Sequence, residues 1–271
     1  MFELLLVTGV IIFAFGCRTF THPLIRKGSI VATIAATFLI GYFLGGDQIF
    51  WGCAAVSCWF VLPWLELLTR VRTLRLPLDK KLRHRYPPPD TSALLRQFTN
   101  DVEEAGFEHA QDSGWEWDGM EQFTRFFYDS ESKAQARINF SLQNHIAFAY
   151  MSVSSRTLDG KTWTTWNYPF SYAMEITPDI EIKRAPATLS FAEMLNSHRD
   201  FLAHRGIAND HLRQDNPDNL DEIAEQEMRN EVDHNLDRGL IRLSGNGTFR
   251  YSWRGLFYLW LQALKDMVRL S

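Results

Sequence analysis

Three apolar runs crowd the beginning of this 271-residue chain: Phe2–Gly16, Ser29–Gly46 and Ile49–Leu68. A helix rises about 1.5 Å per residue and the hydrocarbon core of a bilayer is about 30 Å thick, so a span takes roughly 20 apolar residues. The third run has 20 residues and one charge, Glu66, near its end; the second has 18 and none. The first has 15 and reaches span length only with Cys17–Phe20 added, where Arg18 would snorkel to the headgroups. The chain opens Met-Phe-Glu with no basic residue before Arg18, which is unlike a secretory signal, and the faint lipoprotein-like stretch Ala14–Cys17 lacks the same leading charge. The runs therefore predict an α-helical membrane anchor of three transmembrane helices over residues 1–69.

Basic residues set the expected orientation. Arg18, Arg26 and Lys27 lie between the first two runs, and Arg70, Arg72, Arg75, Lys80, Lys81, Arg83 and Arg85 follow the third against one acid, Asp79. The Gly45-Gly46-Asp47-Gln48 turn between the second and third runs holds no Lys or Arg. Positive flanks face the cytoplasm. The expectation is a multi-pass inner-membrane protein with its N-terminus out and its C-terminal domain cytoplasmic. The seven basic residues at 70–85, together with Trp260, are the expected contacts to anionic headgroups of the bilayer.

The remainder differs sharply in charge. Residues 1–86 carry 10 basic and 4 acidic side chains, a net of +6, whereas residues 87–271 carry 18 and 28, a net of −10. An acidic soluble part argues against nucleic acid, whose phosphates need a basic face. The three cysteines, Cys17, Cys53 and Cys58, all fall in or beside the apolar runs, so a disulfide framework or a Cys-ligated zinc in the soluble part is ruled out.

Five stretches follow from pattern. Residues 70–89 are a basic collar ending in a proline-rich spacer, Tyr86–Pro89. Residues 90–206 read as a soluble α+β domain. Asp90, Thr91 or Ser92 would cap a helix to about Ala105, and Ser190-x-x-Glu193 is a capping box opening a second. Between them, period-2 alternation marks strands at 135–143 and 170–177, with further candidates at 114–118, 122–129, 146–155 and 162–168. The sum is an antiparallel sheet of about five or six strands flanked by helices on one face. Residues 207–253 are an acidic helical arm, solvated or partner-docking, followed by a β-hairpin turning at Gly245-Asn246-Gly247. Residues 254–271 are an aromatic amphipathic helix that either lies on the membrane or packs on the domain or the anchor.

Chemistry-bearing residues are sparse. Glu231 and His234 form an E-x-x-H on one helical face, but a carboxylate-bridged metal pair needs a second such motif, which is lacking. His198 and His204 sit six apart, off the spacing of a helical metal pair, with His211 beyond. Ser152, Ser154 and Ser155 fit the solvent face of a strand, and no nucleophile elbow or phosphate loop occurs. Trp163, Trp166 and Tyr168 cluster on one strand as core residues or as a ligand platform. No metal and no cofactor is expected. The function expected from these features is non-catalytic: an interaction, scaffolding or accessory subunit with a membrane or cytoplasmic protein partner. The alternatives are an enzyme at the cytoplasmic leaflet using His198, His204, Glu231 or His234, or a small-ligand sensor using the sheet near Trp163 and Trp166.

Overall fold

Among the described residues two helices, not three, are long and apolar enough to cross a membrane. They are Lys27–Leu44 within α2 (Pro23–Leu44), and Ile49–Val71, which joins α3 (Ile49–Glu66) to a wide π turn at Leu67–Val71. Helix α1 (Phe2–Arg18) is shorter, because its apolar stretch runs only from Glu3 to Cys17 between two charges. Ala14, Cys17, Ala32 and Ala36 are buried where α1 meets α2. The α2–α3 turn passes through Gly46 and Asp47, both at positive φ (69° and 61°). The computed structural model describes residues 2–20, 23–88, 92–143, 146–186 and 189–270. His22, Pro89, and the capping candidates Asp90 and Thr91 lie outside these; Ser92 is the first residue of α4 (Ser92–Glu104).

The soluble domain is built on a seven-stranded sheet rather than one of five or six. After a short β1 (Leu76–Pro77) come β2 (Arg83–His84), β3 (Glu108–Trp117), β4 (Met120–Asp129), β5 (Ala134–Gln143) and β6 (Ile146–Arg156). Then follow β7 (Thr162–Trp166) and β8 (Ile180–Arg184), and the spatial order runs β2 to β8 in sequence. Neighbours are antiparallel except β7 and β8, which pair in parallel with Thr162 opposite Ile180, so the sheet is mixed. A parallel pair needs a long crossover. Here it is the segment 167–179, which carries neither helix nor strand.

That segment corrects the strand expected at 170–177. Pro169 and Pro178 bracket it and cannot donate to a ladder. Its main chain bonds to side chains instead: Ser171 N–H to the Asp266 carboxylate (2.8 Å) and Glu175 N–H to the Asn235 amide oxygen (2.9 Å). The crossover is thus a strap laid across the sheet.

Helices cover both sheet faces, not one. Helices α4 and α5 (Phe191–His204) bury Leu95, Val102, Phe191 and Met194 against Phe123, Phe127, Ile138 and Val153. Each such fully buried Phe contributes about 2 kcal/mol of transfer free energy. The Ser190–Glu193 capping box at the start of α5 is formed in both directions. On the opposite face lies α6 (Leu220–Asp237), which packs Leu220 and Ala224 on Phe126 and Tyr128.

A second core welds the domain to the apolar helices. Strands β9 (Ile241–Gly245) and β10 (Thr248–Tyr251) join β1 in a three-stranded sheet, and α7 (Trp253–Leu270) ends the chain. Leu67 at the base of α3, Met174 of the strap, Val232 of α6, Phe249 and Leu256 are buried together there. Helix α7 packs on α3, where the Trp260 ring stacks on Trp64 at 6.0 Å between centroids.

Candidate functional site

Strand alternation sends one set of side chains into the α4–α5 core and the other set under α6. The second set is polar. Thr124, Asn139, Ser152, Ser154, Thr162 and Thr164 all point this way and are all buried. Ser152 and Ser154 therefore do not sit on a solvent face; they are buried along a cleft, and Ser155, equally buried, faces the opposite core. Between this face, α6 and the strap lies a cavity of about 370 Å³.

Some of these polar groups satisfy each other. The Ser154 and Thr164 hydroxyls bond at 2.8 Å, and Thr124 donates to the Asn139 amide oxygen at 2.9 Å. Others do not. Trp166 and Thr177 are among the lining residues, and the Trp166 indole N–H and the Thr177 hydroxyl, both buried, have no hydrogen-bond partner among the described residues. An unmade bond at a buried donor costs about 1–3 kcal/mol, which makes such groups natural points of ligand contact.

Four charged side chains line the cavity: Lys80, Arg137, Glu227 and Glu231. Two are locked to each other, with Arg137 donating to Glu227 at 2.9 Å. Glu227 also accepts from Arg156 at 2.6 Å, and Arg156 in turn pairs with Asp215. Burial alone would raise the Glu227 carboxyl; the Arg137 and Arg156 guanidiniums outweigh it and hold the pKa at about 2. This network pins α6 to the sheet.

Lys80 and Glu231 are different. Among the described residues neither forms an ion pair. The Lys80 ammonium sits 4.8 Å from the Trp115 ring centroid. Burial lowers the Lys80 pKa against the opposing field of Glu231, and burial raises that of Glu231 against the field of Lys80. Burial opposes both charges inside a cleft while each partly sustains the other's, a pattern frequent at functional sites.

The strap closes one side of the cavity with Tyr172, Met174 and Ile176. It is held from outside: Tyr251 donates to the Ala173 carbonyl (3.2 Å), Tyr258 to that of Met174 (3.2 Å), and Asp266 accepts from the Ser171 hydroxyl (2.6 Å). Tyr258 and Asp266 belong to α7, so the cavity wall is fastened to the helix that packs on α3.

The residues singled out from sequence scatter. His198 is buried, with Nε2 3.2 Å from the Ser155 hydroxyl and Nδ1 3.0 Å from that of Thr165. Burial, with Lys183 and Arg199 nearby, lowers its pKa to about 4, so it is a neutral bridge between helix and sheet. His204 and His211 are exposed on the surface. Glu231 lines the cavity, while His234, one turn on, is not among its lining residues. Among the described residues no three His, Cys, Asp or Glu side chains converge on a point that would hold a metal. Trp166 and Tyr168 face the cavity, but Trp163 lies on the other face against Phe201, which splits the expected platform.

The collar residues also part company. Arg70, Arg72, Lys81 and Arg83 are exposed. Arg85 pairs with Glu116 and Glu121, the Arg75 guanidinium bonds to the carbonyl of Thr73 at 3.0 Å, and Lys80 turns into the cavity. The Trp260 indole N–H donates to the carbonyl of Phe60 at 2.9 Å. Sequence reasoning missed Lys80 as a cavity residue, and also missed Thr177. The available signal was the pair of hydroxyl-only faces, Ser152-x-Ser154 and Thr162-x-Thr164, on strands that turned out to be neighbours.

Comparison with protein families, with curated proteins and with solved structures finds no match to this chain.

Proposed function

We propose that this chain is a membrane-anchored ligand-binding protein, with its cytoplasmic α+β domain taking a small polar molecule into the cavity beneath α6. One observation carries the reading: a buried sheet face of hydroxyl and amide side chains lining a cavity, beside two polar groups without partners among the described residues, the indole N–H of Trp166 on β7 and the hydroxyl of Thr177 on the strap. A face of polar side chains withdrawn from bulk water is costly unless something hydrogen-bonds to it. The role is that of a sensor or accessory subunit rather than an enzyme.

The anchor in this reading is multi-pass, with α2 and α3 crossing the bilayer and the domain on the cytoplasmic side. Basic flanks at 18–27 and 70–85 and the uncharged-by-Lys/Arg turn at 45–48 support that orientation. Exposed Arg70, Arg72, Lys81 and Arg83 supply the contacts to anionic headgroups. The sequons at Asn139 and Asn246 test it: expressed in a glycosylating host, neither is modified if the domain is cytoplasmic, and modification of either overturns the topology.

The ligand reading is tested on the full chain in mild detergent by native mass spectrometry. A small molecule released from the wild type and lost from Ser152→Trp, which fills the cavity, is the expected outcome. Retention by that variant would overturn the reading. A stoichiometric protein partner that leaves with residues 209–238 would favour the scaffolding role instead.

A further inference from the structure

The charges of the cavity specify the ligand more closely, an inference that rests on the ligand-binding reading above. Two cationic and two anionic side chains line it, so it is neutral overall. Arg137 and Glu227 neutralise each other through a direct ion pair, and that leaves one cation and one anion without ion-paired partners among the described residues, Lys80 and Glu231. They stand on different elements. Lys80 lies in the segment between β1 and β2, backed by the Trp115 ring. Glu231 lies on α6, one helical turn beyond Glu227, which the ion-pair network fixes to the sheet.

Two opposite charges that share a cleft without closing on each other leave room for a guest between them. A lone anion would meet Glu231, and a lone cation would meet Lys80, each with a like charge nearby. A neutral polyol could hydrogen-bond to both groups but would bring neither a counter-charge. A molecule with both signs satisfies each and keeps the cavity neutral. We infer that the cavity recognises a small zwitterion, its acid group on Lys80 and its ammonium on Glu231. The volume of about 370 Å³ stands at the small end of ligand pockets, which run about 300–1,000 Å³, and suits a molecule of amino-acid size. The same chemistry occurs in a free α-amino acid and in a phosphoethanolamine headgroup.

The test uses the full chain in detergent, with saturation-transfer NMR and calorimetry against matched panels: free α-amino acids, the corresponding monoamines, the corresponding monocarboxylates, neutral polyols, and short-chain phosphatidylethanolamine. Binding by zwitterions in preference to single-charge analogues is expected, with affinity falling tenfold or more in Lys80→Met and in Glu231→Gln. The double variant Lys80→Glu with Glu231→Lys restores part of it, which separates recognition from misfolding. Phosphatidylethanolamine bound without any free amino acid supports the inference and names the headgroup as its source. Polyols bound with an affinity that neither single variant changes overturn the zwitterion inference and leave the cavity reading standing. If no panel member binds and Ser152→Trp alters nothing that co-purifies, both fall.

Discussion

Trp260 donates its indole N–H to the main-chain carbonyl of Phe60 at 2.9 Å, tying the last helix to the third across 200 residues of sequence. The acceptor lies one turn before Pro63, whose ring has no N–H and interrupts the helical ladder there. The same α7 holds the strap through Tyr258 and Asp266. Trp260→Phe keeps the stack on Trp64 and loses the bond, a cost of about 1 kcal/mol. Trp260→Ala loses both and frees α7. Amide exchange at Ser171–Met174 then rises more in the alanine than in the phenylalanine variant. Equal exchange in all three proteins would disconnect the anchor from the cavity wall.

Helices α2 and α3 approach closely through glycine. A Cβ on Gly41 would stand 2.5 Å from the Trp51 carbonyl oxygen and 2.6 Å from the Ala55 Cβ, and one on Gly52 would stand 2.6 Å from the Phe38 ring. Backbone atoms cannot move aside as a flexible side chain can. Gly41→Leu therefore separates the hairpin, at a cost of roughly 1–3 kcal/mol. The melting temperature in detergent falls, whereas Gly9→Leu, where nothing lies within 4 Å, leaves it unchanged.

What the sequence reveals of this fold depends on the reach of each pattern. The alternation Ala136, Ile138, Phe140 gives β5 to within a residue, and the capping box gives the start of α5. Both signals are local. Alternation also appears at Phe170, Tyr172, Met174 and Ile176, yet flanking prolines and distant side chains, Asn235 and Asp266, take the segment out of the sheet. Period 2 tells which residues share a face but not whether water or a second layer covers it, so Ser152 and Ser154 look solvent-facing. Glu227 and Glu231 look equally solvated on α6, because the partners that bury Glu227, Arg137 and Arg156, lie 90 and 71 residues away.

Glu227 anchors α6, and its removal has a defined cost. Glu227→Gln leaves the buried guanidiniums of Arg137 and Arg156 short of a counter-charge, which destabilises by on the order of 3 kcal/mol. The carboxyl is held at about 2 in the folded state, below its ordinary value of 4.5. Its stabilisation is therefore complete above pH 4.5 and is lost as pH falls toward 2. The variant's chemical-denaturation midpoint is lower at neutral pH, and its acid dependence in that window is shallower than the wild type's. A midpoint equal to the wild type's would remove the network from the stability of α6.

His198 acts in a different window. Its imidazole, between the Ser155 and Thr165 hydroxyls, is held neutral with a pKa of about 4 against an ordinary 6.5. The unfolded chain therefore binds a proton at this side chain between pH 6.5 and 4 that the folded chain does not, so stability rises with pH there and falls as pH drops through the interval. Over the full shift the loss is about 3 kcal/mol. His198→Gln keeps a hydrogen-bonding side chain that does not titrate. Its stability at pH 7 is lower than the wild type's by about 1–2 kcal/mol from imperfect bonding, but its slope between pH 6.5 and 4 is flatter. Denaturation midpoints at pH 7, 6, 5 and 4 separate the two proteins, and the curves cross between pH 6 and 4, where the wild type has lost more than its starting advantage. Parallel curves would mean that the acid sensitivity of the domain originates elsewhere, and His198 would be left with a packing role alone.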